Sequence, residues 1–101
     1  MAYDWNGFLV KDEQVVWYGA DVNGIDFFLT DRKIMFCDKA GEVCIIPLRH
    51  ITEVRIVPYS KNDWHVRIYY RSTSYIVRAG MDYAWGRNVA ENIVRAMSMH
   101  N

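Results

Sequence analysis

Residues 27–36 read FFLTDRKIMF, two apolar runs parted by a polar knot of Thr30, Asp31, Arg32 and Lys33 that contains neither Gly nor Pro. The reading of this knot decides the fold. Thr and Asp side chains can hydrogen-bond their own backbone and close a turn, while Arg32 and Lys33 keep that turn in water. The stretch is therefore a hairpin corner between two strands, and a turn explains its charges better than a ligand site does.

Outward from the corner the same theme repeats between residues 14 and 79. Short runs rich in Val, Ile, Phe, Tyr and Trp alternate with polar breaks: QVVWYGA, IDFFLT, KIMFCD, VCIIPL, ITEVRIV, WHVRIYY and SYIVRA. This is the rhythm of antiparallel strands, about seven of them, at the even spacing of an all-β barrel or sandwich. Turn chemistry marks the breaks at Asn23-Gly24, Ala40-Gly41, Pro58 through Asp63, and Ser72-Thr73-Ser74. Beyond Gly80 the period changes. Trp85, Val89, Ile93 and Met97 recur every fourth residue among polar positions, which predicts one amphipathic helix over 82–99 with Asp82 as its N-cap. Gly86 costs such a helix about 1 kcal/mol against Ala, so its presence points to a close approach to the strands.

A chain of 101 residues has room for one core. The expectation is a single domain over 1–101: an aromatic arm at 1–13 carrying Tyr3, Trp5 and Phe8, strands at 14–79, and the helix. Twelve Lys and Arg balance twelve Asp and Glu, so no global field draws the protein to nucleic acid or to an anionic membrane. Hydrophobic content of 51% with 15% aromatics excludes a disordered chain. No apolar run approaches the roughly 20 residues of a membrane span, and residues 1–10 lack the basic and apolar regions of a secretory signal. A cytoplasmic protein is expected. Cys37 and Cys44 flank the turn DKAGEV and are read as sharing one face as reduced, packed thiols. His50, His65 and His100 complete no metal-binding spacing with them, so neither metal nor cofactor is expected.

Seven strands and a terminal helix, the corner FFLTDRKIMF, a Glu (Glu13) before the first strand, and IPLRHITEV at 46–54 together resemble bacterial PH and GRAM-like domains of the pleckstrin-homology superfold. The resemblance covers residues 13–99 and implies a mainly β fold, a bent antiparallel barrel whose open end is plugged by the C-terminal helix. Lys33 stands where a second Arg is common in the corner. In eukaryotic relatives the loops joining strands one to two, three to four and six to seven hold lipid headgroups. Here those loops carry Asp21, Asp38 and Glu42 against Lys39 and Arg71, so no phosphoinositide preference is expected. The remaining corners are more basic. Arg32, Lys33, Arg49 and Lys61 are the candidates for an anion site there, alongside His50 and opposed by Asp31 and Asp63.

Strand parity sorts the remaining candidates. Trp64, Val66, Ile68 and Tyr70 form a core face. His65, Arg67, Tyr69 and Arg71 lie outward, and with Arg55 and Arg78 they form a basic stripe that a single-stranded nucleic acid could use. Zero net charge and acids such as Glu53 favour a solvated sheet face instead. In the first half both parities are apolar: Val15, Trp17, Phe27, Leu29, Ile34, Phe36, Val43 and Ile45 alternate with Val16, Tyr18, Phe28, Met35, Cys37, Cys44 and Ile46. A barrel has one inside, so the second set must be covered by the arm or by another chain. Val16, Tyr18, Phe28, Met35, Ile46 and Trp5 are therefore the candidates for a protein interface, with a homo-oligomer or a protein partner expected. Catalysis finds no support: Ser60, Asp63, His65 and His50 fall at corners or on an outer face and form no catalytic motif. The function read from the sequence is a non-enzymatic binding or assembly module acting through protein contacts. A peripheral lipid or small-ligand domain is the alternative, and a single-stranded nucleic-acid binder comes third.

Overall fold

In the computed structural model, which describes residues 6–100, the corner is where the sequence places it. Strands β1 (Val15–Ala20), β2 (Asp26–Thr30), β3 (Lys33–Cys37) and β4 (Val43–Pro47) pair in order as one antiparallel sheet. Strands β5 (Ile51–Ser60), β6 (Asp63–Tyr70) and β7 (Thr73–Gly80) form a second one. Helix α1 (Tyr83–His100) closes the fold. The expected bent barrel thus takes the form of two separate sheets rather than one closed ring. Tyr3 and Trp5 of the expected arm lie outside the described residues. Among the described residues no helix is long and apolar enough to cross a membrane, and no group of three or more His, Cys, Asp or Glu side chains could hold a metal ion.

The core lies between the inner faces of the two sheets and the apolar stripe of α1. Phe27, Leu29, Ile34 and Phe36 from the first sheet meet Val66, Ile68 and Val77 from the second, with Val89, Ile93 and Ala96 from the helix. Asp82 caps α1 by accepting the Trp85 amide at 2.9 Å, which satisfies one of the unpaired donors of the first turn. Gly86 is buried, and a Cβ there would stand 2.9 Å from Ile56 Cδ1 and 3.0 Å from the Ala79 Cβ. The helix can lie this close to β5 and β7 because that position carries no side chain.

Three expectations of parity and one of turn placement need correction. The pairing of Val15 with Thr30 and of Trp17 with Leu29 leaves Val16 as an extra residue in a β-bulge. Val16 and Trp17 both pack against the core while Val15 is exposed. In β4 the partners are Phe36 with Cys44 and Ile34 with Ile46. Cross-strand partners share a face, so Cys44 and Ile46 point inward and Ile45 is 42% exposed. Ile46, expected outside, is fully buried. Cys37 pairs with Val43 instead, which puts the two cysteines on opposite faces as free thiols. Burial, with the carboxylates of Asp38 and Asp26, pushes the Cys37 thiol up from its ordinary value. Finally, Pro58 and Tyr59 belong to strand rather than turn: β5 runs on to Ser60, as an edge strand can with a proline in it. The reversal falls to Lys61 and Asn62, the latter with φ +62°.

Candidate functional site

Polar groups at the first corner form a closed structural knot. The Thr30 hydroxyl accepts the amides of Arg32 and Lys33 at 3.1 and 3.0 Å and donates to Glu13 Oε2. Glu13 Oε1 accepts Lys33 Nζ and the Val10 amide, each at 2.9 Å. Burial alone would raise the Glu13 carboxyl, but the hydrogen bonds from Thr30, Lys33 and Val10 and the charge of Lys33 hold it below its ordinary value. Asp31 accepts the Gln14 amide at 3.1 Å instead of closing its own turn. The side chain of Lys33, expected to sit in water, is 15% exposed and committed to Glu13.

The anion candidates do not form one site. Arg32 shares its end of the fold with Arg49, since the Leu48 amide donates to the Arg32 carbonyl at 2.9 Å. Lys61 stands at the opposite end of the ten-residue β5, about 30 Å along the strand. Arg71, grouped from the sequence with the other set of loops, lies 3.3 Å from His50 Nδ1. Desolvation, then the charges of Arg71 and Arg49, lower the His50 pKa from its ordinary value.

Of the three loops that the sequence resemblance singled out, two meet here. Asn23 and Ile25 face Asp38, Lys39 and Ala40 around a shallow cavity of about 450 Å3, and Lys39 is the one cation in that lining. Asp21 and Asp38 build the turns themselves. Asp21 accepts the amides of Asn23 and Ile25 at 2.8 and 3.0 Å, and Asp38 those of Ala40 and Glu42 at 3.0 and 2.9 Å.

The interface candidates separate. Tyr18, Phe28, Met35 and Ile45 form one cross-strand row on the outer face of the first sheet. Tyr18 is 72% exposed at one edge, whereas Met35 is completely buried within the single chain. Phe28 is half-buried, and its ring stands 6.0 Å from that of Tyr18. The middle of the row is therefore covered without a second copy, and Val16 and Ile46 belong to the core. Trp5 lies outside the described residues.

Two further surfaces stand out. One is a groove of about 470 Å3 between α1 and β5, lined by Ile56, Tyr83, Ala90, Val94, Arg87, Glu91 and Arg95. Its outer wall includes the exposed Val94 and Tyr83. The helical period singled out the buried stripe and passed over these outer positions. The other is the outer face of β5–β6–β7. His65, expected in solvent there, is buried because Tyr59 stacks on its ring at 4.4 Å and 12°. Carrying the parity of Arg55 through Pro58 would have put Tyr59 on this face.

No protein-family model matches the chain, and no curated protein matches it. Among solved structures it is similar to the crystal structure of a DUF1696 family protein with a pleckstrin-homology domain from Shewanella loihica PV-4. The TM-score is 0.64 at 14% identity, over 88% of both chains. At that identity the likeness speaks for the fold alone, and it agrees with the motifs at 27–36 and 46–54: this chain is a mainly β domain with a pleckstrin-homology-like fold.

Proposed function

We propose that this PH-like domain is a non-enzymatic binding module working through protein contacts, and that the groove between β5 and α1 takes an extended segment of a partner protein. The observation that carries the reading is the coincidence of a free edge with an apolar groove. β5 stands at an edge of its sheet, so the backbone groups on its far side have no ladder partner among the described residues. An added strand would supply those hydrogen bonds, and pockets beside an edge select the side chains of the strand that is added. The groove alongside has Ile56 and Ala90 as its base and Val94 and Tyr83 as its wall. Arg87 is paired with Glu91 at 3.4 Å, while Arg95 has no ion-pair partner among the described residues. An acidic residue in the bound segment fits beside it.

The test is a selection of linear phage-displayed random peptides on the whole chain. Enriched peptides should carry a large apolar residue near an acidic one, and Val94→Asp should weaken them at least about tenfold by charging the wall of the groove. Peptides that bind Val94→Asp unchanged would refute this site. Binding of a fatty acid in its place, lost on the same substitution, would favour the small-ligand alternative. Self-association is a second reading, favoured by the exposure of Tyr18 and Ile45 at the two ends of the outer row. It predicts a solution mass that rises with concentration and falls on Tyr18→Glu.

A further inference from the structure

We propose a second contact surface, separate from the groove: the outer face of β5–β6–β7 docks an acidic spot on a partner protein, with Arg67 receiving a carboxylate at its centre. Two cross-strand rows make the middle of this face. Arg55, Arg67 and Ile76 form one, and Val57, His65 and Arg78 the other. The charges do not close within the chain. Arg55 is taken by Glu53 at 2.7 Å, and Arg78 by Asp63 at 3.5 Å. Arg67, between them, has no acidic partner among the described residues, and its Nε is shut off from water with no acceptor. The chain's own atoms close off that Nε, so a partner from outside meets the terminal N–H groups of the guanidinium, which have no acceptor among the described residues. The planar guanidinium is suited to a carboxylate, which can take two of its N–H groups at once.

The surroundings of Arg67 suit a protein partner. His65 is buried with both ring nitrogens unpartnered, and its Nε2 lies 3.7 Å from Asp63 Oδ2. The imidazole serves as a flat support that holds the Tyr59 ring, leaving Tyr59 62% exposed to present to a partner. Ile76, opposite Arg67, is 41% exposed, and the Arg55 guanidinium lies 5.8 Å from the centroid of the Tyr69 ring. No lysine occurs in β5, β6 or β7. Tyr and Arg without Lys is the composition of the energetic centre of protein interfaces. Nucleic acid and anionic membranes fit less well, because both gain affinity by meeting many cations, and of the three arginines on these strands Arg67 alone lacks an acidic partner among the described residues.

The test selects disulfide-constrained phage-displayed random peptides, with Val94→Asp as the bait so that the groove is already disabled. Enriched peptides should present Asp or Glu between large apolar residues. Arg67→Met should weaken them by about ten- to hundredfold, with Arg67→Lys in between. Ile76→Glu sets a carboxylate directly across from Arg67, so it should abolish peptide binding while leaving the melting temperature unchanged or higher. This second variant decides the matter should Arg67→Met prove unstable. The proposal is overturned if no peptide is enriched, if the peptides lack an acidic residue, or if they bind Ile76→Glu as tightly as the parent. Binding of a short oligothymidylate in place of peptides, lost on Arg67→Met, would assign the face to nucleic acid and also overturn it.

Discussion

Replacing Glu13 by Ala removes the centre of the corner knot, and the structure sets the scale of the loss. The carboxylate takes hydrogen bonds from three donors: the Thr30 hydroxyl, Lys33 Nζ and the Val10 amide. Breaking a fully buried ion pair by deleting one partner costs about 3–5 kcal/mol, chiefly because the other charge is stranded. Lys33 keeps 15% of its side chain exposed and can turn toward water, whereas Thr30 is fully buried and cannot. A loss of about 2–4 kcal/mol follows, which in a domain of this size is a fall in melting temperature of about 10–25 °C. The sign of the pH dependence is also determined. The Glu13 pKa is lowered in the folded protein from an ordinary value of 4.5. Its contribution is therefore complete above that ordinary value and disappears as pH falls through the lowered one. Urea unfolding followed by tryptophan fluorescence, from neutral pH into the acid range, should show this acid-side loss in the parent and a shallower profile in Glu13→Ala. A Lys33→Met background should absorb at least about 1 kcal/mol of the Glu13→Ala effect, since the two side chains are in contact. Full additivity of the two substitutions, or identical pH profiles, would refute the knot.

Gly86→Ala sets two effects against each other: about 1 kcal/mol gained in helix propensity and about 1–3 kcal/mol lost to overpacking against Ile56 and Ala79 at 2.9 and 3.0 Å. A net loss of about 1 kcal/mol in urea unfolding is expected, and a stabilised variant would mean that α1 can step away from the sheets. Vesicles containing phosphoinositides should bind no better than neutral ones at physiological salt, because Lys39 is the one cation lining the cavity between the two loops. Saturable, salt-sensitive binding lost on Lys39→Ala would overturn this.

The sequence showed the seven strands along the chain, the helix position, the Asp82 cap and the close approach at Gly86, because each rests on a local signal. Parity in β6 was also legible, since its pairing with β7 runs in unbroken register from His65 to Tyr70. The failures of parity in β1 and β4 share one cause: side-chain direction propagates along a strand only until a bulge or a loop of unknown length resets it. The bulge at Val16 reset β1, and the loop between Cys37 and Val43 reset β4, so Ile46 and Cys44 turned inward. Pro58 suggested a turn because propensity registers its missing donor and does not register that an edge strand tolerates it. The commitment of Lys33 to Glu13 spans twenty residues of chain, and no local pattern carries such a pairing. The outer stripe with Arg55, Arg67 and Arg78 was legible from parity, whereas the groove was missed because it forms only when α1 is laid beside β5.

A division of the polar groups sets the outer face of β5–β6–β7 apart from the rest of the molecule more sharply than hydrophobic exposure does. Where polar side chains build the fold they are satisfied: Thr30 and Glu13 at the corner, Asp21 and Asp38 in their turns, Asp82 at the head of α1. The outer face of the first sheet is likewise resolved within the chain at its centre, since Met35 is completely buried there. The unsatisfied buried side-chain atoms among the described residues are His65 Nδ1, His65 Nε2 and Arg67 Nε, all on β6 and all on its outer side. Had this face only to be solvated, Arg67 could extend into water and His65 could turn a ring nitrogen to it. Both are instead closed in by neighbours that leave Tyr59 and Ile76 exposed. A free protein that keeps this arrangement leaves buried donors unsatisfied at one place while satisfying its polar groups elsewhere, and it holds the rest of the Arg67 guanidinium in place without an acidic partner of its own.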